Sequence, residues 1–238
     1  MAWVWPYLML LWAPLQQQGI LFVSFDLSVI PHKNIILAVT GGIAAYKSAI
    51  LVRRLKDYGF DVRVVMTQGA QAFITKLTFQ ALSGNPVHTE LLDPEAEAGM
   101  GHIELARWAD LVLVAPASCD SIAKFANGLA DDLLSTLYLA TKAPVWVAPA
   151  MNQQMWAAKA TQRNLQTLVE DGVHVIMPDA GEQACGDVGL GRMPEPEDLA
   201  RQVAAYFHKA QRAIAEKFGL LAGKRVTITA GPTREAID

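Results

Sequence analysis

The segment NIILAVTGG, residues 34–42, restricts the fold more than any other stretch, because a nearly unbroken apolar run closes on paired glycines. A strand with no polar alternation has no face to offer water, so it must be covered on both sides. Four more runs carry the same signal: DVRVVMT (61–67), DLVLVAPAS (110–118), APVWVAPAM (143–151) and VHVIMPDA (173–180). Between them lie segments with helical spacing: about 43–58 up to the breaker Gly59, SIAKFANGLADDLLSTLYLA (121–140), ATQRNLQTLVEDG (160–172), and a final amphipathic stretch from Glu197 to Lys217. Strands that alternate with helices predict a parallel sheet covered on two sides, an α/β doubly wound domain.

Composition narrows the class. In 238 residues, 52% hydrophobic with a formal net charge of −3, a large core is expected and a nucleic-acid footprint is not. Two cysteines, Cys119 and Cys185, form no CxxC pair, which argues against a disulfide framework or zinc site and for a reducing cytoplasm. Residues 1–32 begin MAWVWPYLMLLWAPL, an apolar stretch shorter than the roughly 20 residues of a membrane span and interrupted by Pro6 and Pro14. They are expected to be an extension with no assigned role, and no membrane contact is expected of the fold. Residues 33–218 form the main domain. Residues 219–238 contain GKRVTITAGPTREAID, a fresh strand and glycine turn expected to open a second domain.

In open α/β sheets the ligand sits at the carboxyl ends of the strands. After the first run comes TGGIAAYKS, a glycine turn feeding a helix whose free N–H groups suit a phosphate. It is not a Walker A loop, since Tyr46 precedes Lys47 where a glycine is needed, and it is not a full G-x-G-x-x-G. The second run ends in Met66 and Thr67, without the acidic residue an adenosine ribose would want, so a mononucleotide is favoured over NAD. Thr67 and Ser118 bring hydroxyls to the same rim, where helix or turn capping is the ordinary use of such residues. With Gly42 and Ile43 they are candidates to surround one phosphate and one ring.

The stretch GEQACGDVGLGRM, residues 181–193, places Cys185 among glycines so dense that neither helix nor strand is expected, and a functional loop is. Lys47, Arg107 and Arg192 are candidates for phosphate groups, with solvated surface charge as the plainer use of each. Glu104 follows His102 by two residues, but no second histidine stands at ligand spacing, so no metal site is expected.

Three stretches, TGGIAAYK, MGHIELARWADLVLVAPAS and PAMNQQMW, followed by QACGDVGLGRM, resemble in order and spacing the flavin-containing cysteine decarboxylases, and within them the phosphopantothenoylcysteine decarboxylases. That branch forms one half of a bifunctional coenzyme A biosynthesis protein, and the likeness covers about residues 33–207. The resemblance implies a flavodoxin-like, Rossmann-like three-layer fold and FMN as cofactor. It places FMN against Gly41, Gly42, Ile43, Ala44, Thr67, Ser118, Ala150 and Met151. It also implies a homo-oligomer built from trimers, up to a dodecamer. His102 matches an active-site histidine, Asn152 a residue that holds the substrate carboxylate, and Cys185 a proton-donating cysteine on a mobile flap; asparagine is also a common helix N-cap. Cys119 matches less well and reads as a small residue beside the flavin loop.

The implied reaction converts 4'-phosphopantothenoyl-L-cysteine to 4'-phosphopantetheine and CO2. Oxidation of the substrate's CH2–SH to a thioaldehyde sets a C=S group β to the carboxylate, where it accepts the electrons as CO2 leaves. The alternatives are a peptidyl-cysteine decarboxylase that stops at the enethiol, and a non-catalytic flavin-binding regulatory subunit. A ligase activity is not expected of these residues.

Overall fold

A computed structural model describes residues 32–91 and 101–217. The expected amino-terminal extension, up to residue 31, and the expected opening of a second domain, 219–238, lie outside the described residues. Six strands form one parallel sheet: β1 (Asn34–Val39), β2 (Asp61–Met66), β3 (Val87–His88), β4 (Leu111–Ala117), β5 (Val145–Pro149) and β6 (His174–Val175). Their order across the sheet is β3-β2-β1-β4-β5-β6, so the direction of winding reverses between β1 and β4. That reversal opens a crevice at the carboxyl ends of these two strands.

The apolar runs are buried on both faces as their composition requires. Ile35, Leu37 and Val39 point into one core with Leu51, Val52 and Leu55 of α1 (Ala45–Asp57), Phe79 of α3 (Lys76–Ser83), and Leu199, Val203 and Phe207 of α9 (Pro196–Lys217). Ile36 and Ala38, one residue out of phase, point into the other. There they meet Leu105 of α4 (His102–Trp108), Ile122 of α5 (Cys119–Ala126), Leu134 and Leu137 of α6 (Leu133–Ala140), and Leu165 and Leu168 of α8 (Lys159–Glu170). Two short helices, α2 (Gln68–Gln71) and α7 (Gln153–Ala157), complete the set.

Several expectations are corrected in detail. The first helix begins at Ala45, not Ile43, since the chain is still in a turn at Gly42–Ala44. The segment 121–140 is divided between α5 and α6, because Gly128 adopts φ +65° and Asp132 caps a new helix. The run 173–180 yields only a two-residue strand before the chain leaves the sheet. The glycine-rich stretch expected to be a loop is a hairpin: β7 (Asp179–Glu182) pairs antiparallel with β8 (Val188–Arg192). Its glycines serve a strand pair here because Gly181 and Gly191 adopt φ +149° and +138°, a region that L side chains rarely enter.

Candidate active site

The turn after β1 lies against Gly69 of α2, the short helix that follows β2, with no side chain between them. A Cβ on Gly41 would stand 3.1 Å from the carbonyl carbon of Gly69, so glycine permits this approach, whereas a Cβ on Gly42 would meet nothing within 4 Å. The N–H groups of Gly42, Ile43 and Ala44 take no part in the backbone hydrogen bonds among the described residues. Thr40, which the sequence reading passed over, ties the rim together: its buried hydroxyl donates to the Pro116 carbonyl at 2.8 Å and accepts the Ser118 N–H at 2.8 Å. Thr67 and Ser118 act as N-caps, accepting N–H bonds from Ala70 at 3.3 Å and Ser121 at 3.2 Å. Ala150 and Met151 follow β5 on the same edge, with the Ala150 N–H on the Ala117 carbonyl at 3.0 Å. Free helix N–H groups, a glycine turn with open space and two hydroxyls make a rim suited to a nucleotide phosphate.

The hairpin folds back onto the end of β5. Met151 N–H donates to the Gly191 carbonyl at 2.9 Å, while Gln183 accepts the Gln153 N–H at 3.0 Å and donates to the carbonyls of Met151 and Leu190. This docking brings Cys185, in the turn between β7 and β8, to Asn152. Asn152 caps α7 by accepting the Gln154 N–H on Oδ1 at 2.8 Å, which leaves Nδ2 facing the hairpin. Nδ2 then donates to Cys185 Sγ at 3.4 Å and to Asp187 Oδ2 at 2.8 Å. Asp187, Gln183 and Thr40 are the residues that sequence reasoning missed. A carboxylate two positions beyond the candidate cysteine was the available signal for Asp187.

His102 opens α4, half-buried after the N-cap Gly101. No hydrogen bond among the described residues joins it to the Asn152 group. One other expectation is corrected. Lys47 is not a solvated charge: its side chain is only 8% exposed, and its ammonium donates to the Met193 carbonyl at 2.9 Å and to Glu195 at 2.7 Å. Cys119 faces α8, with Sγ 3.4 Å from the Thr161 hydroxyl, because it occupies the first turn of α5. Arg192 is half-buried, with an Nη 3.9 Å from Glu195. Arg107 is exposed, as a surface charge would be. No group of three or more His, Cys, Asp or Glu able to hold a metal ion occurs among the described residues.

Behind the rim, Lys124 of α5 pairs with Asp131 and Asp132, each at 2.9 Å. Hydrogen bonds to Asp131 and then Asp132 raise the lysine above its ordinary value of 10.5. Burial pushes the Asp132 carboxyl up, but the Ser135 N–H, the Lys124 ammonium and the Ser135 hydroxyl outweigh it and hold the group below 3.8.

A six-stranded parallel sheet with helices on both faces, a glycine turn at its winding reversal and hydroxyls along the same edge define a flavodoxin-like α/β protein with a nucleotide-type crevice. The chain belongs to the flavoprotein family, whose sequence profile matches residues 27–208. It is 60% identical over 206 residues to the coenzyme A biosynthesis bifunctional protein CoaBC of Vibrio cholerae and 55% identical to that of Escherichia coli. Each alignment covers 87% of this chain and 49% of the relative, so the chain spans about half the length of these curated proteins. Among solved structures it is similar to a cysteine-to-serine mutant of a PPC decarboxylase complexed with pantothenoylaminoethenethiol. That match has a TM-score of 0.66 and 33% identity, over 74% of this chain and 99% of that one. The FMN-binding protein AtHal3 matches at a TM-score of 0.60 and 32% identity, over 79% of this chain and 98% of that one.

Proposed function

We propose that the chain is an FMN-dependent carboxy-lyase that converts 4'-phosphopantothenoyl-L-cysteine to 4'-phosphopantetheine and CO2 in coenzyme A biosynthesis. The observation that carries this reading is the contact of Asn152 Nδ2 with Cys185 Sγ at 3.4 Å, between residues 33 positions apart, at the strand edge that also carries the phosphate-type turn. A carboxylate-binding amide and a thiol beside a nucleotide crevice are the groups this reaction needs.

Bound FMN would supply a reversible two-electron acceptor. Gly41, Gly42, Ile43 and Ala44 would hold its phosphate through helix N–H groups, with Thr67, Ser118, Ala150 and Met151 along the ring. His102 takes a proton from the substrate during the oxidation step. Asn152 holds the substrate carboxylate by hydrogen bonds without a full positive charge, which would stabilise that anion and hinder its loss. Cys185 supplies the final proton from the hairpin tip.

Residues 33–218 are the domain proposed to carry this chemistry. A trimer-based homo-oligomer is part of the proposal, supported by the exposed stripe of Ile43, Tyr46 and Ile50 around the start of α1. A cytoplasmic location is proposed with it; among the described residues no helix is long and apolar enough to cross a membrane. Two measurements test the reading together: the visible spectrum of the purified protein, expected to show bound flavin, and CO2 release from phosphopantothenoylcysteine. A yellow protein that leaves this substrate untouched would favour a peptide-cysteine substrate or a regulatory role.

A further inference from the structure

Asp187 has no part in the reaction as proposed, yet its Oδ2 is the atom on which the site converges. It accepts from Asn152 Nδ2 at 2.8 Å and lies 3.5 Å from Cys185 Sγ, which donates to it. The Asn152 amide nitrogen is thus engaged by the hairpin tip through both Asp187 and Cys185. A substrate carboxylate that takes Nδ2 must displace at least one of them, and two carboxylates crowded on one amide repel each other.

We infer that Asp187 is a positioning residue that stands in for the substrate carboxylate at Asn152, so that the hairpin tip seats Cys185 there only after CO2 has left. The inference rests on the proposed function. While the substrate carboxylate occupies Nδ2, Asp187 is kept away and the thiol with it. Once the carboxylate has gone as CO2, the amide is released, Asp187 docks and Cys185 is carried against the same side chain. The Cys185 S–H bond then breaks, its proton going to the carbon that bore the carboxylate and its electron pair staying on sulfur. Bound FMN, reduced in the oxidation of the substrate, would supply the hydride equivalent for the resulting thioaldehyde carbon, and water returns a proton to each remaining thiolate. Fixing the thiol before transfer removes the rotational search of a side chain exposed on a tight turn.

The test compares wild type with Asp187→Ala and Asp187→Asn, each as flavin-loaded protein. Asp187→Ala is expected to release CO2 at close to the wild-type rate while the ratio of enethiol to saturated thiol, read by mass spectrometry, rises by about tenfold to a hundredfold. Asp187→Asn, which keeps an acceptor oxygen, is expected to restore part of the saturated product. In the absence of substrate, alkylation of Cys185 by iodoacetamide, mapped by peptide mass, is expected to run several-fold faster in Asp187→Ala because the thiol is no longer held. A wild-type product ratio in Asp187→Ala, or equal alkylation rates, would overturn the inference. If wild type releases no CO2, the proposed function falls, and the alkylation rates still decide whether Asp187 holds the thiol.

Discussion

The Met151 N–H donates to the Gly191 carbonyl at 2.9 Å, and a Cβ on Gly191 would lie 2.2 Å from the Met151 carbonyl oxygen. The hairpin that carries Cys185 therefore meets the end of β5 through a close backbone contact, at a residue whose φ of +138° disfavours a side chain on a second ground. Gly191→Ala is expected to lift the hairpin while leaving the sheet intact. Strain of about 1–3 kcal/mol at one such residue corresponds to a loss of roughly fivefold to 150-fold in kcat/KM. Steady-state kinetics should show this loss with an unfolding midpoint close to wild type.

Lys47 predicts a different outcome, because it fixes the far end of the same hairpin from within the core. Lys47→Met leaves the buried Met193 carbonyl without its donor and should lower the unfolding free energy by about 2–3 kcal/mol. Glu195 is 51% exposed, so Glu195→Gln should cost less than about 1 kcal/mol. Urea denaturation of the two variants checks the order; equal losses would mean that the ion pair, not the carbonyl bond, matters.

Asp132 sets an acid dependence. Its folded carboxyl is held below 3.8, so its charge contributes stability that is present above that value and lost as pH falls through the lower folded one. Lys124 is raised, so its contribution is present below 10.5 and is lost only as pH rises through its higher folded value, outside the acid range. Asp132→Asn is therefore expected to be less stable than wild type at neutral pH, with the gap closing below pH 3.8. Urea unfolding at a series of acid pH values measures it, and a constant gap would assign the loss to capping geometry.

His102→Asn is expected to keep its flavin and to lose decarboxylation by roughly 10²- to 10⁴-fold, the range for one acid–base group. The visible spectrum and a CO2 assay separate the two effects. A colourless protein would show His102 to be structural.

Cys185→Ala should still release CO2 but accumulate the enethiol. Saturated thiol formed at the wild-type rate would remove Cys185 from the role of donor.

The apolar runs 34–40, 61–67, 110–118 and 143–151 were legible as buried strands because a residue with no polar partner has one stable place, between two layers. The caps Thr67, Ser118 and Asn152 were legible for a local reason, since each bonds an N–H two or three residues ahead. The hairpin at 179–192 was not, because its pairing depends on glycine backbone angles and on docking against β5 rather than on any hydrophobic period. Lys47 read as solvated because charge at helical spacing carries no record of what will cover it, and what covers it arrives 146 residues later in the chain.

Sequence alone determined the layered sheet and the rim of strand ends through local pattern, and it named His102, Asn152 and Cys185 as candidates through the resemblance of their motifs to a known family. Tertiary structure alone decided that Asn152 meets Cys185 and Asp187, and that Gln183 clamps the hairpin in place. Such contacts form between segments brought together by folding, and their geometry depends on backbone positions that residue spacing does not encode.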